Sequence, residues 1–158
     1  MKFFKMFLLV SMLTFMFFGI GEAKPAIVTK IIDGDTIKVS MDGVPVKVRL
    51  YGVDAPETKQ SFGPIAKSFV SSQIAVNSAV DVEPVTLDRY GRTVGIVTYN
   101  GKNLHEELLK EGLAWFYPQY CKKDFCSNWR VLEETAKTGR MGLWAEDNPT
   151  PPWVFRKK

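Results

Sequence analysis

The chain is poor in the side chains that most often do chemistry: it has one histidine and two cysteines, and it carries neither internal repeats nor a low-complexity run. With His105 the only imidazole, a metal-free mechanism that uses two histidines as acid and base is excluded. His105-Glu106-Glu107-Leu108-Leu109 also lacks the second histidine of a zinc-protease helix. Standing alone, His105 reads as an exposed helix residue. Cys121 and Cys126 are too few for a four-thiolate zinc site. In an exported chain their spacing points to a small disulfide that ties down the loop before a helix, with two free thiols as the alternative.

Met1 to Ala23 has the form of an export signal. Lys2 and Lys5 give a positive start, Met6 to Ile20 is apolar, and Gly21-Glu22-Ala23 offers small residues for cleavage after Ala23. The apolar run is shorter than the ~20 residues of a membrane span. An uncleaved anchor is the alternative, and the lack of a nearby cysteine argues against a lipoprotein. Without Lys2, Lys5 and Glu22 the rest keeps 19 basic and 16 acidic residues, a net charge of +3. So mild an excess is compatible with a polyanionic partner and does not by itself require one.

Periodicity and turn residues give the organisation. Ile27 to Ile32 reads as a strand, Ile37, Val39 and Met41 alternate up to an Asp42-Gly43 hairpin turn, and alternation resumes at Val44. Val44, Val46, Val48 and Leu50 share one face, so Arg49 leans away from the core. A helix opens at Pro64 with Ile65, Phe69, Val70 and Ile74 inward. Val80 to Leu87 is a strand whose apolar parity switches across Glu83-Pro84, which a bulge reconciles, and Thr93 to Tyr99 is a fifth. Asn103 caps a second helix, and Ser127 a third with Trp129, Leu132 and Ala136 inward. This pattern predicts an α+β, mainly β domain over residues 24–145: a five-stranded Greek-key barrel of the oligonucleotide-binding (OB) type with three helices. A Pro/Trp-rich tail over 146–158 is expected to be extended, with Trp153 laid on the surface.

Three motifs carry the chemistry: Asp33-Gly34-Asp35-Thr36, then Arg49-Leu50 leading to Asp54-Ala55-Pro56-Glu57-Thr58, then Tyr90-Gly91-Arg92. Without histidine or cysteine to activate water, a hydrolase must use carboxylates, a hard cation and arginines, and these segments hold all but the cation. In type, order and spacing they resemble the staphylococcal (micrococcal) nuclease family, the thermonucleases, and the likeness runs from about Ile27 to Trp144.

The resemblance implies a Ca²⁺ site made of Asp35, Asp54 and the carbonyl of Ala55, where family members often have Thr. It also implies Glu57 as general base, and Arg49 and Arg92 as phosphate-gripping groups. Asp33 would support the metal site or shape its turn. Tyr90, and Tyr117 or Tyr120, are candidates for contact with the nucleotide, whereas Trp115 and Phe116 read as core. The implied activity is cleavage of DNA and RNA to 3′-phosphate ends by an exported monomer. A non-catalytic nucleic-acid-binding module on the same barrel is the alternative, and an envelope protein with a Ca²⁺-stabilised loop is a third reading.

Overall fold

A computed structural model describes residues 21–157. The predicted signal therefore lies almost wholly outside the described residues, among which no helix is long and apolar enough to cross a membrane.

Strands β1 (Lys24–Ile31), β2 (Thr36–Met41) and β3 (Val44–Leu50) form an antiparallel meander, with β5 (Ala79–Leu87) on the other side of β1 and β6 (Thr93–Tyr99) beside β5. β3 pairs parallel with β6, Val48 opposite Thr93 and Arg49 opposite Val94, and this closes the five strands into a barrel. The β2–β3 turn sits at Asp42 and Gly43, both with positive φ as a two-residue hairpin requires. The parity switch in β5 is a register shift between Pro84 and Thr86, and a second shift lies in β1 between Val28 and Lys30. Two-residue strands complete the sheets: β4 (Val53–Asp54) pairs with β8 (Trp115–Phe116), and β7 (Lys102–Asn103) extends β6.

Helix α1 (Gly63–Gln73) follows β4. It turns Ala66 and Val70 inward with Ile74 at its end, while Ile65 is half exposed. Of the residues expected inward, Val70 and Ile74 are buried and Phe69 packs partly on the core; only Ile65 departs, its place on the inner face taken by Ala66. Helix α2 (Leu104–Lys110) is capped by Asn103, whose side chain accepts the His105 and Glu106 N–H groups. Helix α3 (Cys126–Thr138) starts two residues earlier than a Ser127 cap implies, at Cys126. Ser127 therefore lies inside it, its Oγ bonded to the Asp124 carbonyl. Cys121 and Cys126 are joined by a disulfide that spans the connection into this helix.

The tail departs from the extended form predicted for it. Pro152 opens a four-residue helical turn, α4 (Pro152–Phe155), a position where a missing N–H costs nothing. Trp153 stacks flat on Tyr117, with centroids 4.9 Å apart and planes 13° apart, and meets Trp115 edge-on at 5.5 Å.

His105 is the larger correction. It is wholly buried, stacked on Trp129 at 4.9 Å. Its Nε2 accepts the Val97 N–H at 3.0 Å and its Nδ1 donates to the Tyr51 carbonyl at 2.9 Å. The imidazole ties α2 to two barrel segments as a neutral ring, and burial pushes its pKa down to about 3. Because the unfolded chain binds this proton near pH 6.5 and the folded chain does not, stability is complete above pH 6.5 and falls as pH drops toward 3. The slope is about 1.4 kcal/mol per pH unit. We expect His105→Gln to remove that slope from acid unfolding curves; an unchanged acid limb would show that the ring is not buried neutral.

Candidate active site

Three chain segments carry the motif residues, and the first is the turn between β1 and β2. Asp33 Oδ1 accepts the Asp35 N–H at 3.0 Å, the local bond that makes aspartate a turn former. Gly34 is required by close approach: a Cβ there would lie 2.8 Å from the Cβ atoms of both Ala55 and Ala66. The turn therefore nests against the loop after β4. Asp35 Oδ2 accepts the Ala55 N–H at 2.6 Å and Oδ1 accepts the Thr36 hydroxyl at 3.1 Å. Asp33 shapes the turn and does not join the carboxylate pair.

The second segment is β3 with the bend and loop on its C-terminal side. Arg49 points out of the barrel core yet is largely covered. Its Nη1 lies 3.0 Å from Asp35 Oδ2 and its Nη2 2.7 Å from Asp54 Oδ1, so one guanidinium bridges both carboxylates. The same Nη1 donates to the Val53 carbonyl at 3.0 Å. Gly52, at φ +65°, makes the bend that returns the chain to β4, and a Cβ there would strike the Cys121 sulfur at 2.8 Å. Asp54 is held by β4–β8 pairing opposite Trp115. β8 is anchored in turn by the buried Glu133 of α3, which accepts the Phe116 N–H at 2.9 Å. Asp54 is 0 % exposed, so its position is set by the fold and not by solvent.

Glu57 stands at the rim. Its N–H donates to Gln60 Oε1 at 2.8 Å, and Gln60 Nε2 donates to the Thr150 carbonyl at 2.8 Å, so the loop is stitched to the tail. The Glu57 carboxylate is more than a third exposed and lies 2.7 Å from Arg156 Nη1. Arg156 also meets Asp54, with Nη2 2.7 Å from Oδ2 and Nη1 3.2 Å from Oδ1. Sequence reasoning missed Arg156: an arginine three residues after Pro151-Pro152-Trp153 has no local signal that it reaches a loop a hundred residues upstream. These carboxylates keep the Arg156 guanidinium firmly protonated, its pKa raised chiefly by the bond to Asp54.

Burial pushes the Asp35 carboxyl up to about 7, against the pull of Arg49 and with the nearby charges of Asp33 and Asp54 adding to it. Two buried carboxylates this close have reason to hold a cation. Every donor they offer is oxygen, the set that suits Ca²⁺ or Mg²⁺ and not zinc. Among the described residues no three His, Cys, Asp or Glu side chains converge as a metal cluster, so waters and a backbone carbonyl such as that of Ala55 would complete the shell.

The third segment is the β5–β6 turn. Arg92 is not in contact with Asp35, Asp54 or Glu57. Its Nε lies 2.6 Å from Asp88 Oδ2, and among the described residues its Nη groups have no hydrogen-bond partner. The β3–β6 register, Thr93 opposite Val48, puts this turn beside the Arg49 strand. Tyr90 is 69 % exposed, with Arg89 and Arg92 4.8 and 5.6 Å from its ring centroid. Tyr120 is exposed as well. Tyr117 has one face covered by Trp153 and its edge against Tyr120, 4.8 Å away, so of the two Tyr120 is the more open.

Residues 47–146 match the model of the staphylococcal nuclease homologue family. The chain belongs to the staphylococcal nuclease family. It is 35 % identical over 132 residues to a protein of Escherichia coli named an uncharacterized endonuclease, the match covering 83 % of this chain and 84 % of that one. Against a micrococcal nuclease of Shigella flexneri it is 35 % identical over 139 residues, 82 % of this chain and 79 % of that one. A staphylococcal-like nuclease of Arabidopsis thaliana is 40 % identical over 111 residues, 70 % of this chain. The chain spans about a third of that plant relative (33 %) and of a 38.1 kDa protein of Capnoides sempervirens (32 %), but most of the bacterial ones.

Removing Arg49 would leave buried Asp35 without a cationic partner among the described residues and Asp54 with Arg156 alone. Arg49→Ala should therefore lower stability to urea at pH 7 by about 3–5 kcal/mol, the range for breaking a buried ion pair from one side. A loss of less than about 1 kcal/mol would mean that the carboxylates do not depend on it.

Proposed function

We propose that this protein is an exported, Ca²⁺-dependent endonuclease that hydrolyses DNA and RNA phosphodiesters with little sequence preference. The observation that carries the reading is the pair of buried carboxylates, Asp35 and Asp54, bridged by one guanidinium with a third carboxylate, Glu57, at the solvent rim. A surface built only to bind nucleic acid gains nothing from three carboxylates facing a polyanion. Such a cluster makes sense where a cation joins the site and water has to be activated. This weighs against the binding-module alternative.

Asp35, Asp54 and the Ala55 carbonyl would hold Ca²⁺, whose charge would offset that of the phosphate and of five-coordinate phosphorus. Glu57, reachable by water, takes a proton from the attacking molecule as its oxygen bonds to phosphorus. The bond to the 5′-oxygen breaks, that oxygen is protonated from solvent, and a 3′-phosphate remains, the outcome implied by the family. No 2′-hydroxyl takes part, so both polymers qualify. Arg92, braced by Asp88 through Nε, offers its free Nη groups as a fork to phosphate oxygens. Arg49 contributes its charge from below, because its Nη groups already serve the carboxylates and the backbone. Tyr90, exposed between two arginines, and Tyr120 offer rings for base stacking.

The test is hydrolysis of single-stranded DNA and RNA with Ca²⁺ or a Ca²⁺ chelator, alongside Glu57→Gln. We expect cleavage only with Ca²⁺, 3′-phosphate ends, and a fall of about 10²-fold or more in the variant. Binding without cleavage would favour the non-catalytic module. For export, N-terminal sequencing of the protein recovered outside the cytoplasm should begin at Lys24; a start at Met1 would point to the uncleaved anchor.

A further inference from the structure

The C-terminal turn delivers a charge. Pro151 and Pro152 restrict the backbone entering α4, Trp153 is clamped between Tyr117 and Trp115, and Thr150 is tied to Gln60. Arg156 follows three residues after Trp153, about one helical turn on. Its guanidinium meets both oxygens of Asp54, at 3.2 and 2.7 Å, and Glu57 Oε1 at 2.7 Å. Arg49 holds Asp54 from the other side at 2.7 Å.

The two arginines are not equally fixed. Arg49 belongs to a strand paired on both edges, with β2 and with β6, and its side chain is 14 % exposed. Arg156 sits on a four-residue turn held mainly by ring stacking, and its side chain is 43 % exposed. A divalent cation using Asp54 as a ligand meets a guanidinium already on that carboxylate. Like charges at such a distance repel, and the arginine free to leave is Arg156.

We propose that Arg156 is a built-in competitor for the cation site, so that cation binding and release of the C-terminal turn form one linked equilibrium. While docked, the turn occupies Asp54 and engages Glu57, the group assigned to water. Once released, it frees Glu57 and the Asp54 Oδ2, while Oδ1 stays on Arg49. The inference rests on reading Asp35 and Asp54 as cation ligands. Linkage makes the effect reciprocal: whatever loosens the turn tightens the cation by the same factor.

The experiment is calorimetric titration of Ca²⁺ into the wild-type protein, Arg156→Gln, Arg156→Lys, Trp153→Ala and Asp54→Asn, each checked for native circular dichroism. Arg156→Gln should bind Ca²⁺ about tenfold more tightly than wild type, since one positive charge beside the site is gone. Arg156→Lys, which keeps the charge without the fork, should fall between. Trp153→Ala alters no charged group and should also bind more tightly, because it weakens only the docking of the turn. Wild-type tryptophan fluorescence should change with Ca²⁺ by an amount that Trp153→Phe removes. Equal or weaker binding by Arg156→Gln, with Asp54→Asn inactive in the titration, would overturn the competitor and leave the site reading intact. No Ca²⁺ binding by wild type and Arg156→Gln, or undiminished binding by Asp54→Asn, would overturn the site reading and the competitor with it.

Discussion

The bridge made by Arg49 between Asp35 and Asp54 is the interaction on which the site depends. Two carboxylates held by one guanidinium, at 3.0 and 2.7 Å, repel each other, and burial adds a desolvation cost to each. A shared guanidinium offsets both terms only if it cannot drift. The barrel provides that: β3 is the strand whose parallel pairing with β6 closes the sheet, and Arg49 stands opposite Thr36 on one side and Val94 on the other. Closure of the fold and fixation of the charge are one event. The β1–β2 turn is held to the same strand through the Leu50 N–H, which donates to the Asp35 carbonyl at 2.8 Å.

Exposure is graded outward from this bridge, and the grading matches what each group has to do. Asp54 is sealed by β4–β8 pairing and Arg49 is nearly so, as suits groups that define geometry. Glu57 lies on a loop whose shape comes from Gln60 and from a glycine: a Cβ at Gly63 would overlap the Glu57 carbonyl. The backbone of Glu57 is therefore fixed while its carboxylate stays open to water. A general base, the role proposed for Glu57, needs both, since a buried carboxylate could not exchange its proton and a loose one would not sit in line with phosphorus.

Much of this was legible in the sequence because strands announce themselves through side-chain alternation. Asp42-Gly43 fixed a hairpin, the parity change at Pro84 marked a bulge, and Asn103 marked a cap, each for a local steric or hydrogen-bonding reason. What escaped was set by long-range contact. His105 resembles any polar helix residue until Tyr51 and Val97 are seen to bracket it. Ile65 looks like a core residue until Gly63 and Ala66 prove the tighter fit. Arg156 is the extreme case: the tail's local rule, that prolines prevent helix, failed because Pro152 sits where a helix begins. Its destination depended on a tryptophan finding a tyrosine face. The motifs at 33–36, 49–58 and 90–92 named candidate site residues by type, but not that Arg92 is braced by Asp88 while Arg49 is spent on carboxylates.

Charge within the contact network explains why so mild an overall excess of basic residues is compatible with a polyanionic substrate. Asp35, Asp54 and Glu57 against Arg49 and Arg156 leave one formal negative charge at the mouth of the site, unfavourable for an approaching phosphate. Positive groups outside this network stand at Arg89 and Arg92 around the exposed Tyr90, where a phosphate could meet them first. In the function proposed, attraction is thus separated from chemistry: the β5–β6 turn would draw in the strand and its bases, while the carboxylate cluster would repel phosphate until a further positive charge is added. A site arranged this way discriminates by charge state before it discriminates by shape. That ordering comes from placing Arg92, whose Nη groups have no hydrogen-bond partner among the described residues, on a separate turn from the acids.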